Sequence, residues 1–368
     1  MSPAGEVRKV FVAATGQDQG KTTVSLGLMS AFHDRCPPVG FIKPVGQRYV
    51  EVNGVRVDED VALMRAIFPA ECELADMSPV TVDRSFTRDY IRNPQPDRLG
   101  RRIRESFEKV AAGRGAVVIE GTGHAGVGSC FDTSNADVAR LLGAKVILVA
   151  GGGIGKPIDE VLLNQSLFAD RGVELLGVVL NKVLPRKLAE VREVVAAGLG
   201  RKGIALLGCV PYEPKLASPS VRQVLEEIGG ELLHGEAALG NAIDAVIVGA
   251  MAAHRALEYI TPGCLLITPG DRDDLILAAL SMAAGGGEET RRVAGILLTG
   301  GDPPHPNTLE VIRRTEIPVI LVDGETYSAA AAVNGLKVKI QPTDGQKTVL
   351  ARELIRRHVD VDRIAENL

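Results

Sequence analysis

Short unbroken apolar runs punctuate this chain, and longer stretches with apolar residues every three or four positions separate them. Val10-Phe11-Val12-Ala13-Ala14, Ala116-Val117-Val118-Ile119 and Val146-Ile147-Leu148-Val149 belong to the first kind. Runs of this length and composition suit strands buried on both faces of a parallel sheet. Val24, Leu26, Leu28, Met29 and Phe32 follow helical spacing instead. The pattern predicts strands over 8–14, 38–42, 116–120, 144–150, 173–180 and 204–209. It predicts helices over 21–34, 58–67, 98–112, 135–142, 157–170 and 186–199. Such alternation implies a doubly wound, mostly parallel α/β sheet with helical crossovers.

The pattern breaks at Tyr212-Glu213-Pro214-Lys215-Leu216-Ala217-Ser218-Pro219, where two prolines and polar residues read as a linker. A second α/β series follows. Its strands are predicted over 242–249, 264–268, 293–298 and 317–322, and its helices over 252–259, 271–284, 306–314 and 326–333. Ala283 through Glu289 reads as a helix end and exposed loop. A last helix is predicted over 344–358, with Lys347, Arg352, Arg356 and Arg357 on a solvated face. The division is therefore a domain over 1–212 and a smaller α/β domain over 213–368 that includes this helix.

Composition narrows the function. With 368 residues the chain can hold two domains and a sizeable core. A net charge of −4 gives no broad attraction to nucleic acid or acidic lipid. Aromatic residues make up 4% and tryptophan is absent, which disfavours stacking on single-stranded nucleic acid. Neither nucleic acid nor membrane is expected as a partner, since no apolar run reaches spanning length. Cys36, Cys72, Cys130, Cys209 and Cys264 are scattered without metal-binding spacing and read as reduced thiols. Gly5, Glu6 and Arg8 interrupt any leader-like run, so a cytoplasmic protein is expected.

Candidate chemistry begins where the first strand ends. Thr15-Gly16-Gln17-Asp18-Gln19-Gly20-Lys21-Thr22-Thr23 joins that strand to the first helix. Strand, glycine-containing turn, Gly-Lys-Thr and helix form a phosphate loop. Its amides and the helix N-terminus present partial positive charge to a phosphate chain. Gly16, Gly20, Lys21, Thr22 and Thr23 are the expected nucleotide contacts. Lys21 can reach terminal phosphates, and the Thr22 hydroxyl can ligate Mg²⁺. The fold is thereby a P-loop NTPase-type sheet. The first glycine lies one place later than usual, with Thr15 in its stead.

Further candidates lie at the other strand ends. Glu120 closes Ala116-Val117-Val118-Ile119 and precedes Gly121-Thr122-Gly123. Ligands of open α/β sheets bind at this edge, so Glu120 is a candidate Mg²⁺ ligand, or else a loop or helix-capping carboxylate. Lys43 ends Phe41-Ile42 and suits an anionic substrate or a transferring phosphoryl group, unless it is a surface lysine. Asp58, Glu59 and Asp60 open a helix, where the dipole favours acids on its own account. His124 is either a loop hydrogen-bonding group or a proton-transfer group. Phe131-Asp132-Thr133-Ser134-Asn135-Ala136 lies near this crevice without an assignable role.

Gly16…Gly20-Lys21-Thr22, Lys43-Pro44-Val45, Asp60-Val61-Ala62-Leu63, Glu120-Gly121-Thr122-Gly123, Val146-Ile147-Leu148-Val149 and Gly177-Val178-Val179-Leu180-Asn181 follow one another in an order that resembles dethiobiotin synthetase. That family comprises ATP- and Mg²⁺-dependent ligases that close a cyclic urea through a carbamic-phosphoric anhydride. The resemblance covers about residues 8–212. It implies that Lys21 and Thr22 contact phosphate and metal, and that Asp60 and Glu120 hold the metal. It also implies that Lys43 binds the substrate anion and transferred phosphate, and that Asn181 reads the adenine. The loop here is shorter between its glycines. His124-Ala125-Gly126-Val127-Gly128-Ser129 replaces the synthetase's Gly-Gly-aromatic run, so the substrate does not carry over.

Thr268-Pro269-Gly270-Asp271-Arg272-Asp273-Asp274 and Leu298-Thr299-Gly300-Gly301 resemble the two signatures of the DRTGG domain. A synthetase-like domain followed by a DRTGG domain resembles the N-terminal, non-catalytic region of long phosphate acetyltransferases. The resemblance implies an Mg-ATP-binding regulatory protein, expected to be a homo-oligomer, with an unknown small-molecule ligand. The acetyltransferase catalytic domain does not follow before Leu368, so acetyl transfer is not expected of this sequence. An ATP-dependent ligase of the dethiobiotin or cobyrinic acid amidation type is the alternative. No cysteine has a nucleophile-elbow context, which disfavours glutamine as the nitrogen source. A partition-type ATPase would need an extra lysine where Gly16 stands.

Overall fold

The computed structural model describes residues 7–69, 71–284, 293–336 and 338–368. The chain forms two compact units. One contains the residues up to Glu213 together with Gly345–Leu368, and the other is Pro214–Asp344.

In the first unit, β1 (Arg8–Ala14) leads into α1 (Lys21–Arg35) and β2 (Val39–Ile42). The crossover to the next long strand carries α2 (Glu59–Ile67) and α3 (Pro96–Ala111). β3 (Ala116–Glu120), α4 (Asn135–Leu142), β4 (Lys145–Ala150), α5 (Gly155–Asp170), β5 (Leu175–Val183), α6 (Leu188–Gly200) and β6 (Leu206–Pro211) complete the series. The six strands form one sheet in the order β6-β5-β4-β1-β3-β2. All neighbours are parallel. The strands of this sheet sit where the apolar runs predicted them. Every residue of β3 is buried, as a strand covered by helices on both faces requires.

The long crossover between β2 and β3 holds elements that the apolar pattern does not show. Tyr49–Val52 and Val55–Asp58 form an antiparallel hairpin. Asn53 and Gly54 turn it with φ of 51° and 77°, both in the left-handed region that two-residue hairpins favour. Val45–Gly46 pairs with Val80–Thr81, and a short helix spans Phe86–Arg92.

The second unit begins with α7 (Val221–Ile228), whose N-terminus carries a Ser220–Gln223 capping box. Part of the supposed linker is helical, over Pro214–Ala217. β7 (Glu231–His234), β8 (Ala245–Val248), β9 (Cys264–Pro269), α8 (Asp273–Ala284), β10 (Gly295–Thr299), α9 (Pro306–Ile312), β11 (Val319–Leu321) and α10 (Thr326–Asn334) follow. The sheet order is β7-β11-β10-β9-β8. β7 runs antiparallel to β11, so the sheet is mixed. Successive strand residues serve opposite faces. Leu265, Ile267, Leu297 and Ile320 pack with Val221, Val224, Ala329 and Val333. Leu266, Ile296, Leu298 and Val319 pack with Ile276, Leu280 and Ile312. The exposed loop expected after the helix end, over 285–289, lies outside the described residues.

The division at 212 placed residues 345–368 in the second domain. The structure corrects this: α11 (Gly345–His358) and α12 (Val361–Glu366) belong to the first unit. α11 lies against α1 at Gly27, where a methyl group would come within 2.3 Å of the Ile355 side chain. Arg352 donates from Nε to Ser30 Oγ at 2.8 Å and stacks over Phe68. Gly208 and Val359 form an antiparallel bridge at the sheet edge. The solvated face expected for this helix holds only in part. Arg356 and Arg357 are exposed, whereas Lys347 is buried. Among the described residues no helix is long and apolar enough to cross a membrane.

Candidate functional site

Register places the site. Val12 of β1 lies opposite Glu120 of β3, so the loop after β1 and the acid closing β3 emerge at one sheet edge. The Gly121 amide donates to Val12 O at 2.9 Å, and Thr15 N donates to Val149 O at 2.9 Å. The loop then turns through Asp18 (φ 58°) and Gly20 (φ 88°), and α1 starts at Lys21. No acidic residue sits in the first turn of α1, leaving its N-terminal partial charge unmatched from within the helix. Gly16 faces open space: a methyl there meets only Gln19, at 3.6 Å.

The Thr22 hydroxyl reaches inward. Its Oγ1 lies 3.1 Å from both Asp60 Oδ1 and Glu120 Oε1, and with one hydrogen it donates to one at a time. Asp60 is in the first turn of α2, which Asp58 caps by accepting from the Asp60 amide at 3.0 Å. Lys43 follows β2 and inserts among these acids. Its Nζ contacts Asp60 Oδ2, lies 3.0 Å from Asp58 Oδ1 and 3.7 Å from Glu120 Oε1. All four charged side chains are at most 6% exposed. Lys43 is thus not a surface lysine but the centre of a buried ion cluster.

Burial alone would lower the Lys43 pKa. Asp60, then Asp58 and Glu120, more than reverse this and hold the ammonium charged, well above its ordinary range. Burial, and next the Asp60 charge, push the Glu120 carboxyl up to about 7, while Lys43 and Lys21 pull it back. Glu120 Oε2 is buried without a hydrogen bond, as is the Ser25 hydroxyl, which lies near enough to favour the charged carboxylate. An orphaned carboxylate oxygen beside a threonine hydroxyl is an oxygen donor set that suits a hard divalent cation. Thr22, Glu120 and Asp60 are the residues that would hold one. No cluster of three or more His, Cys, Asp or Glu forms a ready-made metal cage among the described residues.

Asn181 stands on β5 and braces the loop. Its Nδ2 donates to Gln19 O at 2.9 Å, and its Oδ1 accepts from Lys182 N at 2.9 Å. A methyl group on Gly20 would lie 2.0 Å from that Nδ2. The role that the structure displays for Asn181 is therefore support of the phosphate loop from below. Lys182 adds a bond from Nζ to Asp18 O at 2.6 Å. Sequence reasoning missed this brace, Asp58 as a partner of Lys43, and Asn135. Asn135 accepts from Thr122 N at 3.1 Å and donates to Thr122 O and His124 O, each at 2.7 Å, pinning the loop after Glu120. His124 is exposed, and its Nδ1 accepts from Gly126 N at 3.2 Å, a loop role. Phe131 packs with Phe86 and Tyr90, and Tyr90 donates to Asp132 at 3.0 Å.

In the second unit the two DRTGG-like signatures share one sheet edge, because Pro269 lies opposite Thr299 in parallel register. Arg272 pairs with Asp274 at 2.8 and 3.0 Å and donates to Met251 O at 2.9 Å. Gly300 and Gly301 turn the chain with φ of 91° and 75°, and their amides donate to Gly324 O and Val322 O.

Two protein families match successive parts of the chain. Residues 8–220 match the AAA domain family AAA_26, and residues 223–336 match the DRTGG domain. A phosphate acetyltransferase of Nitratidesulfovibrio vulgaris is 28% identical over 369 residues, covering 98% of this chain and 51% of its own length. The phosphate acetyltransferase of Pseudomonas putida is 31% identical over 371 residues, covering 95% and 50%. The chain thus spans about half the length of these relatives. The septum site-determining protein MinD of Pyrococcus horikoshii, complexed with Mg-ADP, aligns with 57% of this chain and 83% of its own. Identity is 16% and the TM-score 0.37. The CBS and DRTGG domains of the regulatory region of Clostridium perfringens pyrophosphatase, complexed with the activator diadenosine tetraphosphate, align with 46% and 75%. Identity is 17% and the TM-score 0.28. With more than half of its residues inside the first match, the chain belongs to the AAA domain family AAA_26, extended by a DRTGG domain.

Proposed function

We propose that the first unit binds Mg-ATP and that the chain is the nucleotide-responsive regulatory region of a phosphate-acetyltransferase-type protein. The observation that carries the reading is Thr22, at the head of α1, within 3.1 Å of both Asp60 and Glu120. The phosphate chain would lie along the loop amides and the α1 N-terminus, with Lys21 at its terminal phosphates. Mg²⁺ would take the Thr22 hydroxyl and the Glu120 and Asp60 carboxylates, and would supply neutralisation of phosphate charge. The likeness to phosphate acetyltransferases over nearly this whole chain supports a regulatory role, as does the DRTGG unit. That unit has two glycine turns and a locked Arg272–Asp274 pair, with no nucleophile–base pair in its signatures. Titration of labelled ATP against wild type and Lys21→Ala tests the reading. A loss of tenfold or more is expected at Lys21→Ala, and equal affinities would refute it.

Lys43 favours a second reading, that of an ATP-dependent ligase. A buried ammonium beside the phosphate loop can steady a transferring phosphoryl group. On that reading Lys43→Ala abolishes turnover while nucleotide affinity stays within a few-fold. Surviving turnover would exclude it.

A further inference from the structure

The Lys43 ammonium stands among carboxylate oxygens of Asp58, Asp60 and Glu120. Both oxygens of Asp60 are engaged, Oδ2 by Lys43 and Oδ1 by Thr22. Glu120 Oε1 lies near both Thr22 and Lys43, and Asp58 Oδ1 meets Lys43 while it caps α2. The carboxylates of Asp58, Asp60 and Glu120 outnumber the ammonium of Lys43 and, beyond it, that of Lys21, and an excess of negative charge in a site this dry is costly away from water. A divalent cation would relieve it. Yet an ion bonded to Asp60 and Glu120 would stand within a few ångströms of Nζ, and two cations so close repel strongly where the dielectric is low. The ammonium cannot simply leave, since a buried charge without a partner is costlier still. It can release Asp60 only toward another anion, and the phosphate loop at the same sheet edge is where one would arrive.

We infer that Lys43 is a cation gate: its ammonium keeps divalent metal out of the Asp58–Asp60–Glu120 cluster until a phosphate chain offers it another partner. The inference rests on the nucleotide reading above. It turns metal selectivity into a coupling between two ligands, because Mg²⁺ and the phosphate chain each favour the rearrangement that the other needs. The gate would account for a lysine surrounded by oxygen donors of this kind.

Mn²⁺ alone, without nucleotide, is the probe, read by electron paramagnetic resonance of the free ion. Wild type should bind it weakly. Lys43→Met should bind one ion at least tenfold more tightly, a coupling of ordinary allosteric size. Lys43→Arg, which keeps the charge, should remain weak, and adding Asp60→Asn to Lys43→Met should abolish the gain. If Lys43→Met folds poorly, Mn²⁺ should raise its melting temperature and leave that of wild type unmoved, since a ligand of the folded state stabilises it. Equal Mn²⁺ affinity in wild type and Lys43→Met would overturn the gate, as would an Mn²⁺-insensitive melting temperature for Lys43→Met. No nucleotide is present in this titration, so failure here is distinct from failure of wild type to bind labelled ATP.

Discussion

Gly20→Ala tests the geometry of the phosphate loop without reference to any ligand. Gly20 has φ 88°, and placing an alanine in that left-handed region costs about 1–2 kcal/mol. The new methyl would also sit 2.0 Å from Asn181 Nδ2 and 3.3 Å from its Cγ, so the amide must swing away. That movement breaks the 2.9 Å bond to Gln19 O, worth about 1 kcal/mol. Gly20→Ala should therefore cost about 2–4 kcal/mol. Asn181→Ala alone loses the brace for about 1–2 kcal/mol, but it also removes the two closest atoms that the methyl would meet, leaving only Thr23 Oγ1 at an ordinary 3.9 Å. The double variant then pays the backbone term and one loss of the brace. It should be more stable than the sum of the single effects by about 1–2 kcal/mol. Urea denaturation followed by far-UV circular dichroism measures all four corners of this cycle. Additivity to within about 0.5 kcal/mol would refute the clash and its coupling.

Other outcomes follow from the same coordinates. Asn135→Ala removes three hydrogen bonds from the loop after Glu120 and should destabilise by about 1–3 kcal/mol, with faster amide exchange at Thr122. In metal-free buffer the raised Glu120 pKa means that the folded state holds a proton which the unfolded state releases. This contribution to stability is full below the ordinary carboxylate value of 4.5 and is lost as pH rises through about 7, so Glu120→Gln should flatten the pH–stability curve over that window. An unchanged slope would show that Glu120 titrates normally. Gly27→Ala overpacks the contact with Ile355 and should cost about 1–3 kcal/mol, raising hydrogen exchange across 345–358. Exchange confined to 221–334 would contradict the return of α11 to the first unit.

The parallel sheets were legible because their strands are continuous apolar runs, a pattern that burial on both faces imposes. The antiparallel parts were less so. β7 is an edge strand with its side chains only partly buried, and it lacks a clear run. The Tyr49–Asp58 hairpin did carry a signal, the Asn53-Gly54 pair, in a segment otherwise read as a bare connection. The return of residues 345–368 to the first unit could not be read from α11 itself. It depends on contacts with other elements, among them the close approach of Ile355 to Gly27 on α1, and periodicity within one segment says nothing about its partner. At the site, the motifs pointed to Thr22 and Glu120 and the resemblance singled out Asp60, and the structure groups the three. Neither motif nor resemblance gave the depth of Lys43. A lysine at a strand end reads as exposed unless the acids that neutralise it are known to converge. Asp58 was visible as an acid opening a helix, and that ordinary role hid its bond to Lys43. Asn181 was tied to the adenine through resemblance, and the residue types gave no sign of the bond by which it braces the loop.

On the proposed function, Asp60 and Glu120 act through a metal ion at a nucleotide site headed by Thr22. The direct measurement is the affinity of wild type, Asp60→Ala and Glu120→Ala for labelled ATP, each in Mg²⁺ and again in EDTA. In Mg²⁺ both variants should bind at least tenfold more weakly than wild type, the loss of a charged ligand of the ion. In EDTA the three proteins should agree within a few-fold. Equal losses in both buffers would contradict the account and leave the two acids as structural partners of Lys43.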